Sequence, residues 1–307
     1  MKRIRLNPSK AKYLGIEYKG RDNQNKHFRH TLTSEQQTKM MFYKQYQASK
    51  NHHAKILVLD IETAPIDAFV WGIWKQNVNL KGVKHDWFIL TWSVKWLFSN
   101  EVMSNHLTKK ESLKKDDKRI TENIFKLMCE ADIIITHNGN KFDLKRLNTK
   151  FLKYRLGSPT SYSSIDTLKY ARKFLSHSSN KLDYLGDISR LGNKIETGGF
   201  DLWLRCLKGD QKAFKDMVKY CDQDVQLLEY LYLYMISFIK PHPNLNLFSL
   251  DNVNRCTSCM SDDIQYTGDY HTTVSVFDEY KCNCCGSTFR ARKGVKKNKN
   301  IKSSLPR

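Results

Sequence analysis

One short stretch constrains this chain more than any other, because a strongly apolar run in it ends in two acidic residues. Residues 56–59 are Ile-Leu-Val-Leu, and Asp60 and Glu62 follow on either side of Ile61. The run predicts a buried strand, and alternate residues of a strand share one face. Both carboxylates are therefore expected on one side, where they repel each other unless a cation lies between them. Oxygen ligands favour Mg²⁺ or Mn²⁺. The pair alone fits a solvated polar turn equally well.

Two further acidic residues stand at positions that could join this pair. Asp143 follows the buried strand expected at 132–136 and a turn, and it falls in the first turn of an expected helix, which alone would stabilise a carboxylate. Tyr220 and Asp224 are one helical turn apart, so a phenol and a carboxylate share a helix face. The alternative for this second pair is an ordinary polar face of an amphipathic helix.

The charge of the chain points to a polyanionic partner. The net charge is +21, and the excess lies in the flanks: residues 1–53 carry 12 Lys and Arg against 3 acidic residues, and residues 290–307 carry 8 against none. Basic flanks around an acidic metal site suit a nucleic acid that is held while a phosphate is attacked. The alternative is that basic termini only aid solubility. No apolar run reaches the roughly 20 residues of a membrane span, and no signal peptide is expected.

Five of the eight cysteines cluster near the C-terminus. Cys256 and Cys259 form one C-x-x-C pair and Cys282 and Cys285 form a second, with 22 residues between the two pairs. This spacing predicts a structural zinc ribbon with one Zn²⁺, with Cys284 as a spare thiol. Clustered thiols also indicate a reducing compartment, and we expect a cytoplasmic location.

The order of elements predicts an α/β fold with a mixed sheet flanked by helices. We predict strands at 55–60, 87–98, 101–107, 132–136 and 163–166, and helices at 120–130, from about 142, at 167–175, at 181–191 and from 212 to about 239. The expected domains are a basic N-terminal extension (1–53), the α/β domain (54–240), a zinc-ribbon module (241–292) and a basic tail (293–307). In the extension we expect a short helix capped by Thr33-Ser-Glu-Gln36. The rest of the extension is expected to be either a mobile arm or an ordered addition to the fold.

Taken in order, these motifs resemble a known family. Asp60-Ile-Glu62-Thr, Asp143 and Tyr220-x-x-x-Asp224 resemble the DEDD exonucleases of the ribonuclease H-like fold, and the tyrosine is typical of the DEDDy branch. Further matches are Trp92-Ser-Val-Lys-Trp-Leu, His137-Asn-Gly-Asn-Lys-Phe-Asp143, Ser164-Ile-Asp-Thr-Leu-Lys and Gly199-Phe-Asp-Leu-Trp. These are similar to YprB-like predicted exonucleases of phages and bacteria, which often end in a zinc ribbon. The similarity covers about residues 55–292.

The resemblance implies a metal-dependent 3′→5′ exonuclease that acts on DNA or RNA, encoded by a phage or a bacterium, with replication or repair proteins as candidate partners. It implies that Asp60, Glu62, Asp143 and Asp224 hold two Mg²⁺ or Mn²⁺ ions and that Tyr220 orients the attacking water. Thr63 and Asn138 are candidate substrate contacts, with turn and cap hydrogen bonds as the alternative.

Two acidic residues near the motifs stay outside the expected metal set: Asp166, expected to cap the helix after it, and Asp222. Trp71 and Trp74 are candidates for base stacking. The alternative functions are a non-catalytic nucleic-acid-binding protein and a structure-specific endonuclease on the same fold.

Overall fold

The computed structural model describes residues 3–18, 20, 29–192, 198–251 and 253–294. They divide into two compact units. The central unit is Lys55–Glu229, and the second unit is formed by the chain up to Ala54 together with the chain from Tyr230 onward. Most of the predicted basic tail, residues 295–307, lies outside the described residues, as do residues 1–2, 19 and 21–28 of the N-terminal extension.

The N-terminal part of the second unit contains regular structure in its described residues. Its elements are β1 (Arg3–Arg5), α1 (Pro8–Leu14), β2 (Arg29–Thr31), α2 (Ser34–Met41) and α3 (Tyr43–Ala48). The predicted capping box is present, since Gln36 N donates to Thr33 Oγ1 and Thr33 N donates to Gln36 Oε1. The predicted helix is divided at Phe42, which is buried and stacks on Tyr230.

The central unit alternates strands and helices. In chain order it contains β3 (Ile56–Thr63), β4 (Asp67–Ala68), β5 (Val83–His85), β6 (Ile89–Trp96), β7 (Met103–His106), α4 (Lys109–Lys114), α5 (Lys118–Glu130), β8 (Ile133–Thr136), α6 (Asp143–Lys153), β9 (Ser163–Asp166), α7 (Thr167–Phe174), α8 (Leu182–Ile188), α9 (Phe200–Leu207) and most of α10 (Gln211–Met235). The unit boundary falls within α10. The predicted helix at 181–191 is shorter in the structure, and α4 and α9 were not predicted.

Among the described residues, five strands form the mixed sheet that the sequence predicted, in the order β7-β6-β3-β8-β9. β3 pairs with β6 in antiparallel register, with Leu57 opposite Trp96 and Glu62 opposite Thr91. β3 and β8 run parallel, as do β8 and β9. The carboxyl ends of the three parallel strands therefore meet at one edge of the sheet, where side chains that follow them come together.

The pleat of β3 separates core residues from site residues. Leu57, Leu59 and Ile61 belong to one continuous apolar core shared with helices α5, α6, α9 and α10. Asp60 and Glu62 alternate with these residues and consequently lie on the opposite face. A shift of the register by one residue would bury both carboxylates in this core.

The segment between β3 and β6, for which no element was predicted, is a hairpin. Ala64 N donates to Phe88 O, β4 pairs with β5, and Phe69 N donates to Gly82 O. We call residues 64–88 the hairpin arm. It extends the β3–β6 ladder beyond the sheet.

The C-terminal part of the second unit is a small sheet with three described strands, β10 (Ile264–His271), β11 (Val276–Cys282) and β12 (Thr288–Gly294), paired antiparallel in that order. The sequence of residues 264–280, between the two cysteine pairs, predicts the β10–β11 hairpin, whereas β12 was not predicted. The N-terminal residues pack within this same unit: Asn51 Nδ2 donates to Met260 O at 3.1 Å, and His53 N donates to Phe248 O at 3.0 Å. In the parts of the chain that the structure describes, no helix is long and apolar enough to cross a membrane.

Candidate active site

Three of the four predicted acidic ligands converge on one point. Asp60 and Glu62 come from β3 and Asp224 comes from α10, and one carboxylate oxygen of each lies within 4.8 Å of those of the other two. Strand alternation places the first two together, and the packing of α10 beside the sheet adds the third. Asp224 is only 4% exposed. Three carboxylates at this separation repel one another strongly in a partly buried setting.

Asp143 is buried in the wall of the same cleft. It is the first residue of α6, and its Oδ1 accepts a hydrogen bond from Ile61 N at 3.2 Å, so the strand between Asp60 and Glu62 contacts it directly. Burial raises the pKa of Asp143 to about 7, and the nearby charge of Asp166 acts in the same direction. The hydrogen bond from Ile61 and the charge of Arg146 oppose the shift without cancelling it. A divalent cation in the cleft would favour the ionised form.

Tyr220 lines this cleft one helical turn before Asp224. The ring of Trp203 meets it edge to face, with centroids 6.3 Å apart, and so limits its rotation. The next residue, Cys221, is fully buried, and its thiol lies 3.5 Å from Asp60 Oδ2. Burial and the charges of Asp60 and Glu62 raise the pKa of this thiol, which therefore stays neutral and donates to Asp60. Neither supporting role was predicted, because each depends on residues distant in sequence.

The turn after β8 is held by Asp166, the residue expected to cap α7. Its carboxylate accepts from Leu168 N and Lys169 N, which confirms the cap, and also from the backbone N–H groups of Asn138 and Asn140. Asn138 lines the cleft with a φ of 72°. Gly139 is required here, because a Cβ at this position would lie 2.4 Å from the Thr136 side chain.

The other near-motif acid, Asp222, has a structural role. Its Oδ1 accepts hydrogen bonds from Ser93 Oγ of β6, at 2.6 Å, and from Ser104 Oγ of β7. It therefore ties α10 to two sheet strands, in agreement with its exclusion from the metal set.

Thr63 and Asn138, the two expected substrate contacts, have different surroundings. Thr63 Oγ1 accepts a hydrogen bond from Arg146 Nη1 at 2.8 Å, so its hydroxyl already has a structural partner. The Arg146 guanidinium lies against the rings of Phe142 and Trp87, at 4.2 and 4.5 Å from their centroids. Asn138 stands in the cleft wall, where a ligand would meet it.

The cleft has a volume of about 670 Å³ and also holds basic residues that sequence reasoning did not select. Arg172 at the end of α7 and Lys181 just before α8 line it on the side of the 178–183 loop. His137 anchors this loop: its Nδ1 lies 2.8 Å from Thr167 Oγ1 and its Nε2 lies 2.9 Å from Asn180 O. The cleft thus combines carboxylates able to bind cations with positive charges able to bind phosphate.

The acidic set fits a divalent cation on the chemistry of its donors. All of its ligand atoms are carboxylate oxygens, which suit Mg²⁺ or Mn²⁺ and not zinc or copper. They come from a rigid strand and a long helix, so their spacing is set by the fold.

The four cysteines of the predicted ribbon form a separate, closed cluster. Their sulfur atoms lie within 4.8 Å of one another, with Cys256–Cys285 and Cys259–Cys282 separations of 3.6 Å. A tetrahedral Zn²⁺ site with Zn–S distances of about 2.3 Å has edges of about 3.8 Å, whereas a disulfide needs about 2.05 Å. The cluster is therefore compatible with a zinc ribbon.

Both turns of this cluster have the same geometry although only one contains glycine. Gly286 N donates to Cys282 O, and Met260 N donates to Cys256 O. Their φ values are 76° and 63°. Met260 takes the place in the first turn that Gly286 has in the second, and it adopts the left-handed conformation at a cost of about 1–2 kcal/mol.

The comparison that decides the family covers half of the chain. A family model described as the RNase_H superfamily matches residues 81–236. The chain belongs to the RNase H superfamily. The matched range contains Asp143, Tyr220 and Asp224, while Asp60 and Glu62 precede it. Members of this superfamily that are nucleases usually use divalent metals. The acidic cluster of this RNase H-like domain therefore supports a nuclease-type activity and contact with nucleic acid.

No curated protein matches the chain. Among solved structures, the family B DNA polymerase from the hyperthermophilic archaeon Pyrobaculum calidifontis is similar, with 14% sequence identity and a TM-score of 0.45. The similarity covers 60% of this chain and 25% of the polymerase chain, so this chain spans about a quarter of that protein's length.

Proposed function

We propose that the chain is a metal-dependent 3′→5′ exonuclease of the DEDDy, YprB-like type that hydrolyses phosphodiester bonds of DNA or RNA. The observation that carries the proposal is the convergence of Asp60, Glu62 and Asp224 within 4.8 Å in a cleft that Asp143 and Tyr220 also line. The 3′→5′ polarity in this proposal comes from the family resemblance.

Each residue of the cleft has a role in this proposal. The four carboxylates hold two cations, which when bound would stabilise the phosphate charge and make a water molecule more acidic. Tyr220 orients the attacking water through its hydroxyl, since a phenol with an ordinary pKa near 10 is a weak base. Trp203 and Cys221 keep Tyr220 and Asp60 in place. Arg172 and Lys181 neutralise the phosphates of the bound strand.

The zinc ribbon has a separate role. We assign one Zn²⁺ to Cys256, Cys259, Cys282 and Cys285, where it stabilises a module too small for a large apolar core. The basic flanks would add affinity for nucleic acid that weakens steeply with salt.

The test is degradation of single-stranded DNA and RNA labelled at the 5′ end, in Mg²⁺, Mn²⁺ or EDTA. The expected result is a ladder that shortens one nucleotide at a time in the presence of metal, and no ladder when the 3′-terminal linkage of the substrate is a phosphorothioate. Discrete internal cuts would favour the endonuclease, and metal-independent binding without cleavage would favour the non-catalytic binding protein. Either result would overturn the proposal.

A further inference from the structure

The hairpin arm, residues 64–88, arises directly beside the carboxylates. Its two ends follow Thr63 and precede Ile89, which are paired at the end of the β3–β6 ladder next to Glu62. Arg146 braces this base by donating to Thr63 Oγ1 and packing on Trp87 of the arm and Phe142 of the cleft wall. The base of the arm thus adjoins the cleft.

The outer part of the arm exposes large apolar side chains to a degree unusual for a folded chain. Trp71 is fully exposed and Trp74 is 84% exposed. Further apolar residues of the arm are more than half exposed: Ile66, Phe69, Val70, Ile73 and Leu80. So many large exposed apolar side chains within one short segment indicate an interaction surface, because apolar side chains left in water do not contribute to the stability of the fold.

Charge on the arm favours one occupant. Lysines stand among the apolar residues at 75, 81 and 84, and all three are exposed, while the two acidic residues of the arm, Asp67 and Asp86, lie near its ends. Lys84 pairs with Asp67 at 3.9 Å, which leaves Lys75 and Lys81 as the lysines of the outer part. Lysine is depleted at the centre of protein–protein interfaces. Aromatic rings with lysines between them are instead the pattern that binds single-stranded nucleic acid, where rings stack on bases and lysines neutralise phosphates.

We infer that the hairpin arm is a binding platform for the single strand whose end occupies the cleft, with Trp71 and Trp74 stacking on unpaired bases and Lys75 and Lys81 contacting the backbone. This inference deepens the proposed exonuclease function and rests on it. Base stacking tolerates any sequence, so the arm would hold DNA or RNA without reading it.

The test compares Trp71→Ala/Trp74→Ala with a matched control, Leu113→Ala/Leu152→Ala, which removes two exposed apolar side chains from α4 and α6. Binding of a labelled poly(dT) or poly(U) oligonucleotide is measured by fluorescence anisotropy in EDTA. Loss of a stacked ring weakens binding roughly 5- to 150-fold. We expect the tryptophan variant to lose at least about tenfold and the control to bind like the unaltered chain.

Two further measurements, ester hydrolysis and the salt dependence of binding, distinguish a role of the arm in binding from damage to the cleft. Hydrolysis of thymidine 5′-(p-nitrophenyl phosphate), which is too small to reach the arm, should be unchanged in the tryptophan variant. If the unaltered chain hydrolyses neither this ester nor oligonucleotides, the proposed function fails, whatever the binding result. Lys75→Ala/Lys81→Ala should flatten the salt dependence of binding by about one unit of slope per lysine, whereas the tryptophan variant should keep the slope.

Three results would overturn the inference. The first is unchanged oligonucleotide affinity in the tryptophan variant. The second is loss of ester hydrolysis together with binding, which would mean that the substitutions disturb the cleft. The third is a concentration-dependent dimer, seen by analytical ultracentrifugation, that the tryptophan substitutions abolish without altering oligonucleotide binding; the arm would then be a contact between two copies of the chain.

Discussion

Replacing Asp143 with asparagine should stabilise the metal-free protein, and increasingly so as the pH rises. Burial raises the pKa of this carboxyl from 3.8 to about 7. The folded state therefore holds a proton that the unfolded state has released between about pH 4 and pH 7. The free energy of unfolding of the unaltered chain should fall through this window and level off above it. Asparagine has no proton to lose, and its Oδ1 still accepts the hydrogen bond from Ile61.

The size of the effect follows from linkage. A shift of about three pKa units lowers the free energy of unfolding by about 4 kcal/mol at pH 8, where the folded carboxyl is mostly ionised. At pH 5 the same relation gives a loss of about 2 kcal/mol in the free energy of unfolding. The gain in stability of Asp143→Asn over the unaltered chain should therefore be about 2–3 kcal/mol larger at pH 8 than at pH 5. Comparing the two pH values cancels any constant difference in packing between Asp and Asn.

The assay is urea denaturation in EDTA at pH 5 and pH 8. Asp183→Asn is the matched control, because Asp183 lines the same cleft with its side chain exposed to water. This control should follow the pH dependence of the unaltered chain. Adding Mg²⁺ at pH 8 should stabilise the unaltered chain more than Asp143→Asn, because a cation binds the ionised form. Identical pH dependence of Asp143→Asn and the unaltered chain would refute the assignment of Asp143 as a buried, proton-holding carboxyl.

The remaining predictions concern the chemistry and the ribbon. Asp224→Asn should abolish hydrolysis but keep oligonucleotide binding, measured by fluorescence anisotropy, and cleavage by this variant would contradict the metal site. Asp222→Asn should lower the melting temperature and keep hydrolysis. Tyr220→Phe should slow single-turnover hydrolysis roughly 10²–10⁴-fold with metal affinity unchanged by calorimetry, and an unaltered rate would leave Tyr220 only a packing role. Elemental analysis should find one zinc per chain, retained in Cys284→Ala and lost in Cys259→Ala; zinc in both variants would exclude the proposed ligand set.

Much of the central unit was predictable because its signals are local. The apolar run before Asp60 required a buried strand, and the strand period placed Asp60 and Glu62 on one face. The helical period brought Tyr220 and Asp224 together, and β9 was predicted with its observed bounds. The C-x-x-C pairs lie in the described structure as a four-sulfur cluster. Period, capping and metal-ligand spacing are properties of residues within a few positions of one another.

Other features required the tertiary structure, because they depend on contacts between distant parts of the chain. The raised pKa of Asp143 comes from burial against a strand 82 positions away, and no local pattern reports desolvation. The capping role of Asp166 was predicted from the helix that follows it, but its hydrogen bonds to the turn after β8 were not. The hydrogen bonds of Asp222 to two sheet serines likewise depend on residues more than 100 positions away.

The hairpin arm and the second unit also depend on contacts that no local sequence pattern predicts. Trp71 and Trp74 were predicted as stacking candidates, but the pairing of 64–88 into a hairpin and the exposure of its apolar side chains appear only when the neighbouring elements have been placed. Likewise, the N-terminal residues belong with the C-terminal module through bonds such as Asn51 to Met260, 209 positions apart. The sequence by itself determined which residues could form a metal site, because strand and helix periods are local. The tertiary structure decided their protonation, their supports and the surface around them, because burial and long-range pairing depend on the whole chain.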